Sequence, residues 1–158
     1  MKINLIWVGK TQFNFVEEGF AVYQKRIARY CRFEVMEIAS IKNAASLSPQ
    51  ELKTAEGKLL LQQLPTSSVL ILLDVGGKLL SSEVFAQNLD KWKVAHSGKN
   101  LCFVIGGAYG FSEEVYTQAA QKISLSPMTF SHQLIRIVFA EQLYRAFSIL
   151  RNEPYHNA

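Results

Sequence analysis

An α/β domain with a largely parallel sheet is the fold class this sequence predicts, on three observations. Short apolar runs with strand character alternate with helical patterns, two of those runs end in glycine pairs, and serines or a proline mark the helix starts. In such a fold the loops at the strand C-termini face the same way and gather ligands.

Ile3 to Val8 is apolar and bounded by Gly9, which reads as a buried first strand, and a helical pattern follows from about Phe15 to Tyr30. Arg32 to Ile38 alternates Phe33, Val35, Met36 and Ile38 with charges, a half-buried strand. Ile41 to Ser48 reads as a loop, and Pro49 suits the first position of a second helix carrying Leu52, Leu59, Leu60 and Leu64. After Pro65, the continuous run Val69 to Asp74 has the pattern of a strand covered on both faces; it is expected to end at Gly76-Gly77 and to lie in the middle of the sheet.

Ser81 or Ser82 begins a helix through Lys93, and Asn100 to Ile105 is another buried strand that meets Gly106-Gly107-Ala108-Tyr109-Gly110. Ser112 is placed to cap the next helix, with Glu113 and Glu114 in the first turn, where the helix dipole favours acids. A short strand at Ile123 to Ser126 precedes the closing stretch, in which Ser131 or His132 opens a long helix and Asn152, before Glu153 and Pro154, closes it. Apolar side chains occupy nearly every angular position of that helix. It must be buried on almost all sides, either centrally or against a partner chain.

With 158 residues, 49% hydrophobic and 19% charged, the chain suits one compact domain over residues 1–158 that needs no disulfide or metal to hold its core. The first apolar run is too short for a signal-peptide core, and no stretch approaches the ~18 apolar residues of a membrane span. A soluble cytoplasmic protein without a membrane partner is expected. Cys31 and Cys102 form no CxxC pair and His96, His132 and His156 are scattered, so no metal site is expected. The net charge of +4 is mild, with nine Lys/Arg against six acids in residues 1–64 and eight against seven after them. Lys25, Arg26, Arg29 and Arg32 make either a basic patch for a phosphate backbone or an ordinary solvated helix face.

The glycine loop after Ile105 is the sharpest local signal, because glycines directly after a buried strand let the backbone approach a ligand. It does not fit GxGxxG, and no GxxxxGK[ST] occurs, so dinucleotide and P-loop readings both fail. Asp74 reads alone as a turn-capping carboxylate, though its loop, the glycine loop and the LSPMT segment are able to enclose one ligand. In the last helix His132 and Arg136 share one face, and Glu141 and Arg145 share another. Glu141 and Arg145 fit an ion pair within the helix or at a subunit contact, whereas His132 fits loop capping or a role in binding or proton transfer. The tail Glu153-Pro154-Tyr155-His156 reads as frayed chain, or as a Tyr and a His that stack on a base.

Together, LLDVGGK (Leu72 to Lys78), VIGGAYGFS (Val104 to Ser112), ISLSPMTFSHQLIRIVFAEQLYRAFSIL (Ile123 to Leu150) and NEPYH (Asn152 to His156) resemble one family over the whole chain. The sequence is similar to the bacterial large-subunit (23S) ribosomal RNA pseudouridine N3-methyltransferases, minimal members of the SPOUT class. The resemblance implies a SPOUT-type sheet flanked by helices with a C-terminal trefoil knot, against the usual rule that chains are not threaded. It also implies a homodimer acting on ribosomal RNA within the ribosome, and S-adenosyl-L-methionine as methyl donor.

Carried over by motif, the donor would lie among Leu73, Gly107, Leu125, Ser126, Pro127, Met128, Thr129 and Phe130. Methyl transfer to N3 requires that nitrogen at about 3–3.5 Å from the methyl carbon, and loss of its proton. His132 is the expected base or orienting group, Arg136 the expected stabiliser of charge on the flanking carbonyls. Arg145, Tyr155 and His156 are the expected RNA contacts. Related sequences often carry a basic residue after PYH, where this chain has Asn157 and Ala158, so one phosphate contact is expected to be missing. The cofactor motifs do not encode the target base, which leaves a SPOUT enzyme for another RNA nucleotide, or a non-catalytic ribosome-binding module, as the competing readings.

Overall fold

The computed structural model describes residues 2–156. Strands β1 (Lys2–Val8), β2 (Arg32–Ile38), β3 (Ser68–Leu79), β4 (Asn100–Ile105) and β5 (Gln121–Ser124) form one sheet in the order β2-β1-β4-β3-β5, and every neighbouring pair is parallel. The helices are α1 (Asn14–Ile27), α2 (Pro49–Gln63), α3 (Ser82–Ala95), α4 (Glu113–Gln118) and α5 (Leu134–Leu150), and a 3-10 turn, Ala44–Ser46, interrupts the loop before α2.

The period of two along each strand builds two cores. Ile3, Leu5 and Trp7 of β1, with Val69 and Ile71 of β3 and Leu101, Phe103 and Ile105 of β4, point to the face covered by α1, α3 and α5. Ile6, Leu70, Leu72, Cys102 and Val104 point to the other face, covered by α2 and α4. Each large side chain so buried contributes about 1.5–3 kcal/mol of transfer free energy. The helix starts follow the serines: Ser48 and Glu51 form a reciprocal capping box with bonds of 3.2 and 2.8 Å, and the hydroxyls of Ser81 and Ser112 accept the N–H of Val84 and Val115.

Helix α5 lies between α1 and α3 against the sheet. The Phe139 ring sits 4.8 Å from Phe103 and 6.1 Å from Phe85, centroid to centroid. Of its 17 residues only Leu134 and Leu150, at the two ends, are exposed. The all-round apolar pattern thus has a partner on each side within one chain. The helix is shorter than expected, because His132 and Gln133 form a turn before it and Asn152 turns away with φ 53°. The Ser131 hydroxyl still accepts the Leu134 N–H at 3.1 Å, so that serine caps the helix from a step outside it.

Two further expectations change. The middle of the sheet is β4, and β3 lies one place toward the edge; a run covered on both faces has the same apolar pattern in either position. Nor does β3 stop at its glycines. Leu73 and Lys78 both pair with Ile123, and residues 74–77 swing out between them before the strand resumes to Leu79. A Cβ on Gly77 would lie 2.6 Å from the Ile123 backbone, so glycine here allows two chains to cross in contact rather than ending a strand. Strand β5 correspondingly begins two residues before Ile123 and ends at Ser124.

Candidate active site

At the C-terminal edge of the parallel strands a cavity of about 470 Å³ opens between three segments. Leu73, Asp74 and Val75 at the swing of β3 form one wall and the glycine loop after β4 the second. The segment from Ser124 to His132 forms the third. That segment is held by its serines: Ser124 Oγ donates to the Ser126 carbonyl at 3.0 Å, and Ser126 Oγ accepts the Met128 N–H at 2.9 Å. Met128 itself is 77% exposed. Under the glycine loop lies the Phe111 ring, 3.0 Å from where a Cβ on Gly106 would stand.

Among the lining residues Asp74 is the one carboxylate, and none is a Lys or Arg. Asp74 Oδ1 accepts the Gly76 N–H at 2.7 Å, and its Oδ2 accepts the Tyr116 hydroxyl at 2.5 Å. It therefore acts as a turn cap and also ties the β3 swing to α4. Burial, then the Asp74 carboxylate, pushes the Tyr116 phenol up to about 12.

Of the residues expected around a methyl donor, Leu73, Gly107, Leu125, Ser126, Met128, Thr129 and Phe130 all line this cavity. Pro127, between Ser126 and Met128, is not in its wall. His132 lines it and is exposed. Arg136, the expected stabiliser of charge on the substrate carbonyls, does not line it. Its side chain is 1% exposed and points to the loop after β1, donating to Thr11 Oγ1 at 2.9 Å and to the carbonyls of Val8 and Gly9 at 3.3 Å, with Nε on the His132 carbonyl at 3.1 Å. The guanidinium covers the Trp7 ring at 4.5 Å. Burial lowers its pKa from the ordinary value, Glu37 opposing. With four of its five N–H groups so directed, Arg136 braces the loop after β1.

Arg145, Tyr155 and His156 gather elsewhere, along α5. Glu141 accepts from Arg145 Nε at 3.0 Å and Nη2 at 2.5 Å, and from the Tyr155 hydroxyl at 3.1 Å. The pair is the intrahelical one that the spacing allowed. His156 closes the cluster, with Nδ1 3.2 Å from Arg145 Nη1 and Nε2 2.7 Å from Glu83 Oε1. Since an arginine only donates, Nδ1 accepts and the ring proton on Nε2 is given to Glu83. Hydrogen bonds from Ser81 and the helix backbone, then from His156, hold Glu83 at about 2. Upstream, Glu153 accepts the Tyr30 hydroxyl. The tail through His156 is thus fastened to the turn after α1, to α3 and to α5. Asn157 and Ala158, where the missing basic residue was expected to matter, lie outside the described residues.

Sequence reasoning missed Glu56. It lies on α2 behind Gly107, where a Cβ on that glycine would overlap its Oε2 and come 3.0 Å from its Cδ. The available signal was the Glu56-Gly57 pair in a helix interior, since a helical glycine costs stability unless something approaches it closely. No helix of the described residues is long and apolar enough to cross a membrane, and no three His, Cys, Asp or Glu among them gather as a metal site would require.

Comparison with known proteins agrees with this arrangement along its whole length. Residues 1–156 match the family model described as predicted SPOUT methyltransferase. Curated proteins named ribosomal RNA large subunit methyltransferase H are similar end to end. Those of Parabacteroides distasonis and Flavobacterium johnsoniae are 49% identical and that of Christiangramia forsetii 47%, each over 157 residues that make up 99% of either chain. With its five-stranded parallel sheet, its strand-end cavity and this full-length match, the chain belongs to the SPOUT methyltransferase family.

Proposed function

We propose that this chain methylates N3 of a pseudouridine in large-subunit ribosomal RNA, with S-adenosyl-L-methionine as donor, and that it works as a homodimer on the assembled ribosome. The observation that carries the reading is the strand-end cavity, whose wall contains seven of the eight residues that the family resemblance assigns to the donor. The full-length relatives, named as large-subunit ribosomal RNA methyltransferases, support the substrate.

The cavity suits such a donor on its own chemistry. At about 470 Å³ it is in the range of small-molecule sites. Its wall mixes apolar side chains with Gly106, Gly107 and Gly110, where backbone can meet a purine closely, and its one carboxylate side chain, Asp74, suits a cationic ligand. When bound, the donor supplies an electrophilic methyl group on a sulfonium centre. Leu73, Leu125 and Phe130 would supply apolar wall around the donor, and the Ser124–Ser126–Met128 bonds keep the third wall in shape. His132, at the wall and open to solvent, is the residue available to take or orient the N3 proton.

Arg145, Tyr155 and His156 serve the RNA in this reading, a Tyr ring and an imidazole for stacking and a guanidinium for phosphate. The trefoil knot belongs to the same proposal. It is supported by a chain that leaves the sheet at edge strand β5 and returns across its face as α5, and by the backbone contact of Gly77 with Ile123.

Methyl transfer from labelled donor to assembled ribosomes, free large subunits and naked ribosomal RNA, followed by nucleoside mapping, tests the whole. Label is expected on a 3-methylpseudouridine, with ribosomes the best acceptor. Label on another nucleoside would overturn the base assignment, and donor binding without any transfer would leave a ribosome-binding module.

A further inference from the structure

Two glycines bring a carboxylate to the back of the donor cavity. Gly57 of α2 lies so close to α4 that a Cβ there would overlap the Ser112 hydroxyl and come 3.1 Å from Val115. This contact sets α2 against the chain that follows the glycine loop. Its neighbour Glu56 then falls behind Gly107, whose missing side chain leaves the space that the carboxylate occupies. Gly107 faces the donor cavity on one side, and on the other a small cleft lined by Glu56 and Lys53, so a single backbone residue separates the carboxylate from the ligand space.

Glu56 is half-buried and makes no ion pair or hydrogen bond among the described residues, although Lys53 is one turn away on the same helix. Burial raises its pKa from the ordinary glutamate value. A carboxylate withdrawn from water without a partner costs stability, and such groups concentrate at functional sites. Its field also passes through protein rather than water, where it is screened far less. Asp74 has one oxygen on a backbone N–H and the other on a phenol, whereas Glu56 is a second carboxylate near the cavity and has no such partner among the described residues.

We infer that Glu56 is a specificity-determining residue of the donor cavity, whose charge behind Gly107 favours a cationic sulfonium ligand over the uncharged thioether that remains after methyl transfer. This rests on the methyl-donor reading above. It acts through space and through the loop, without touching the ligand, and it gives a physical reason for product to leave: the ligand loses its positive charge in the reaction while the wall keeps its negative one.

The test is the ratio of affinities for S-adenosylmethionine and S-adenosylhomocysteine, measured by calorimetry on the full chain and on Glu56→Gln, which keeps shape and removes charge. A unit charge about 12 Å away at an effective dielectric of about 20 changes that ratio by about tenfold, so Glu56→Gln should lose about tenfold of its preference for the sulfonium while thioether affinity holds. Equal weakening of both ligands, or an unchanged ratio, would overturn the inference and leave Glu56 a packing residue. If Glu56→Gln does not fold, Lys53→Met is read instead: removing the cation in the same cleft should raise the sulfonium preference, and no change there overturns the idea equally. A wild-type chain that binds neither ligand would take down the donor reading itself, and this inference with it.

Discussion

The guanidinium of Arg136 lies 4.5 Å from the Trp7 ring and joins the end of β1 to the start of α5. With the Val8 and Gly9 carbonyls and the Thr11 hydroxyl as acceptors, this contact holds the β1–α1 loop to the helix. Arg136→Ala should therefore lower stability by roughly 3 kcal/mol, since it strands buried carbonyls as well as removing a stacked cation. Urea denaturation measures this. A variant as stable as the parent yet inactive would return Arg136 to the chemistry.

Gly77 is the second point of strict geometry. Ala at this position places its Cβ 2.6 Å from backbone atoms of Ile123, which cannot rotate away. Gly77→Ala should cost more than about 2 kcal/mol and disturb the cavity wall formed by the β3 swing. By contrast Gly98→Ala meets no neighbouring atom and its cost comes only from φ +81°, so thermal melts of the two variants separate contact from backbone strain.

His132 is predicted to matter for rate and not for fold. It is exposed and flanks the cavity, so His132→Ala should leave thermal stability within about 0.5 kcal/mol, as for an ordinary surface change, and cut kcat by about 10²-fold. Full turnover in labelled-methyl assays would remove it as base or orienting group.

The Tyr116–Asp74 bond makes a pH signature. The phenol titrates at about 12 in the folded chain against 10.0 when free. A raised folded pKa means that the stabilisation is complete below pH 10 and fades as pH rises toward 12. Tyr30 and Tyr155 are raised as well, so ultraviolet titration should show several late tyrosinates, of which Asp74→Asn moves one downward; an unmoved titration would deny the contact.

At the other end of the scale, Glu83 is held at about 2 where a free glutamate titrates at 4.5. A lowered folded pKa contributes fully above about pH 4.5 and is lost as pH falls toward 2, so the His156 end of the tail should loosen in that window. Amide exchange of residues 153–156 would register the loosening, and Glu83→Gln should loosen the tail at neutral pH.

Much of the fold was legible because its signals are local. Short apolar runs located every strand, and Pro49, Ser81 and Ser112 located three helix starts, since a proline in the first turn or a hydroxyl that accepts an orphan N–H acts within one turn. What was misread depends on partners distant in sequence. Gly76-Gly77 reads as a strand end until Ile123 is known to press on Gly77, and β3 reads as central until β4 is known to take that place. The donor residues were reached through the family resemblance, whereas the burial of Arg136 was not legible because it depends on Trp7 and Thr11 at the opposite end of the chain. Glu56 was passed over because a glutamate on a helix ordinarily faces water.

The parallel sheet order also governs how the chain can fold. Strand β1 pairs on one side with β4, joining Asn4 to Cys102 across 98 intervening steps of chain. The first strand made on the ribosome therefore waits for the fourth before its second edge is paired, and β5 can add only to a β3 already in place. Contacts of such long sequence separation slow folding, and until they close, the edges of β1 and β3 are open to strand-to-strand association. Refolding from urea should accordingly be slow and concentration-sensitive, with yield falling as protein concentration rises.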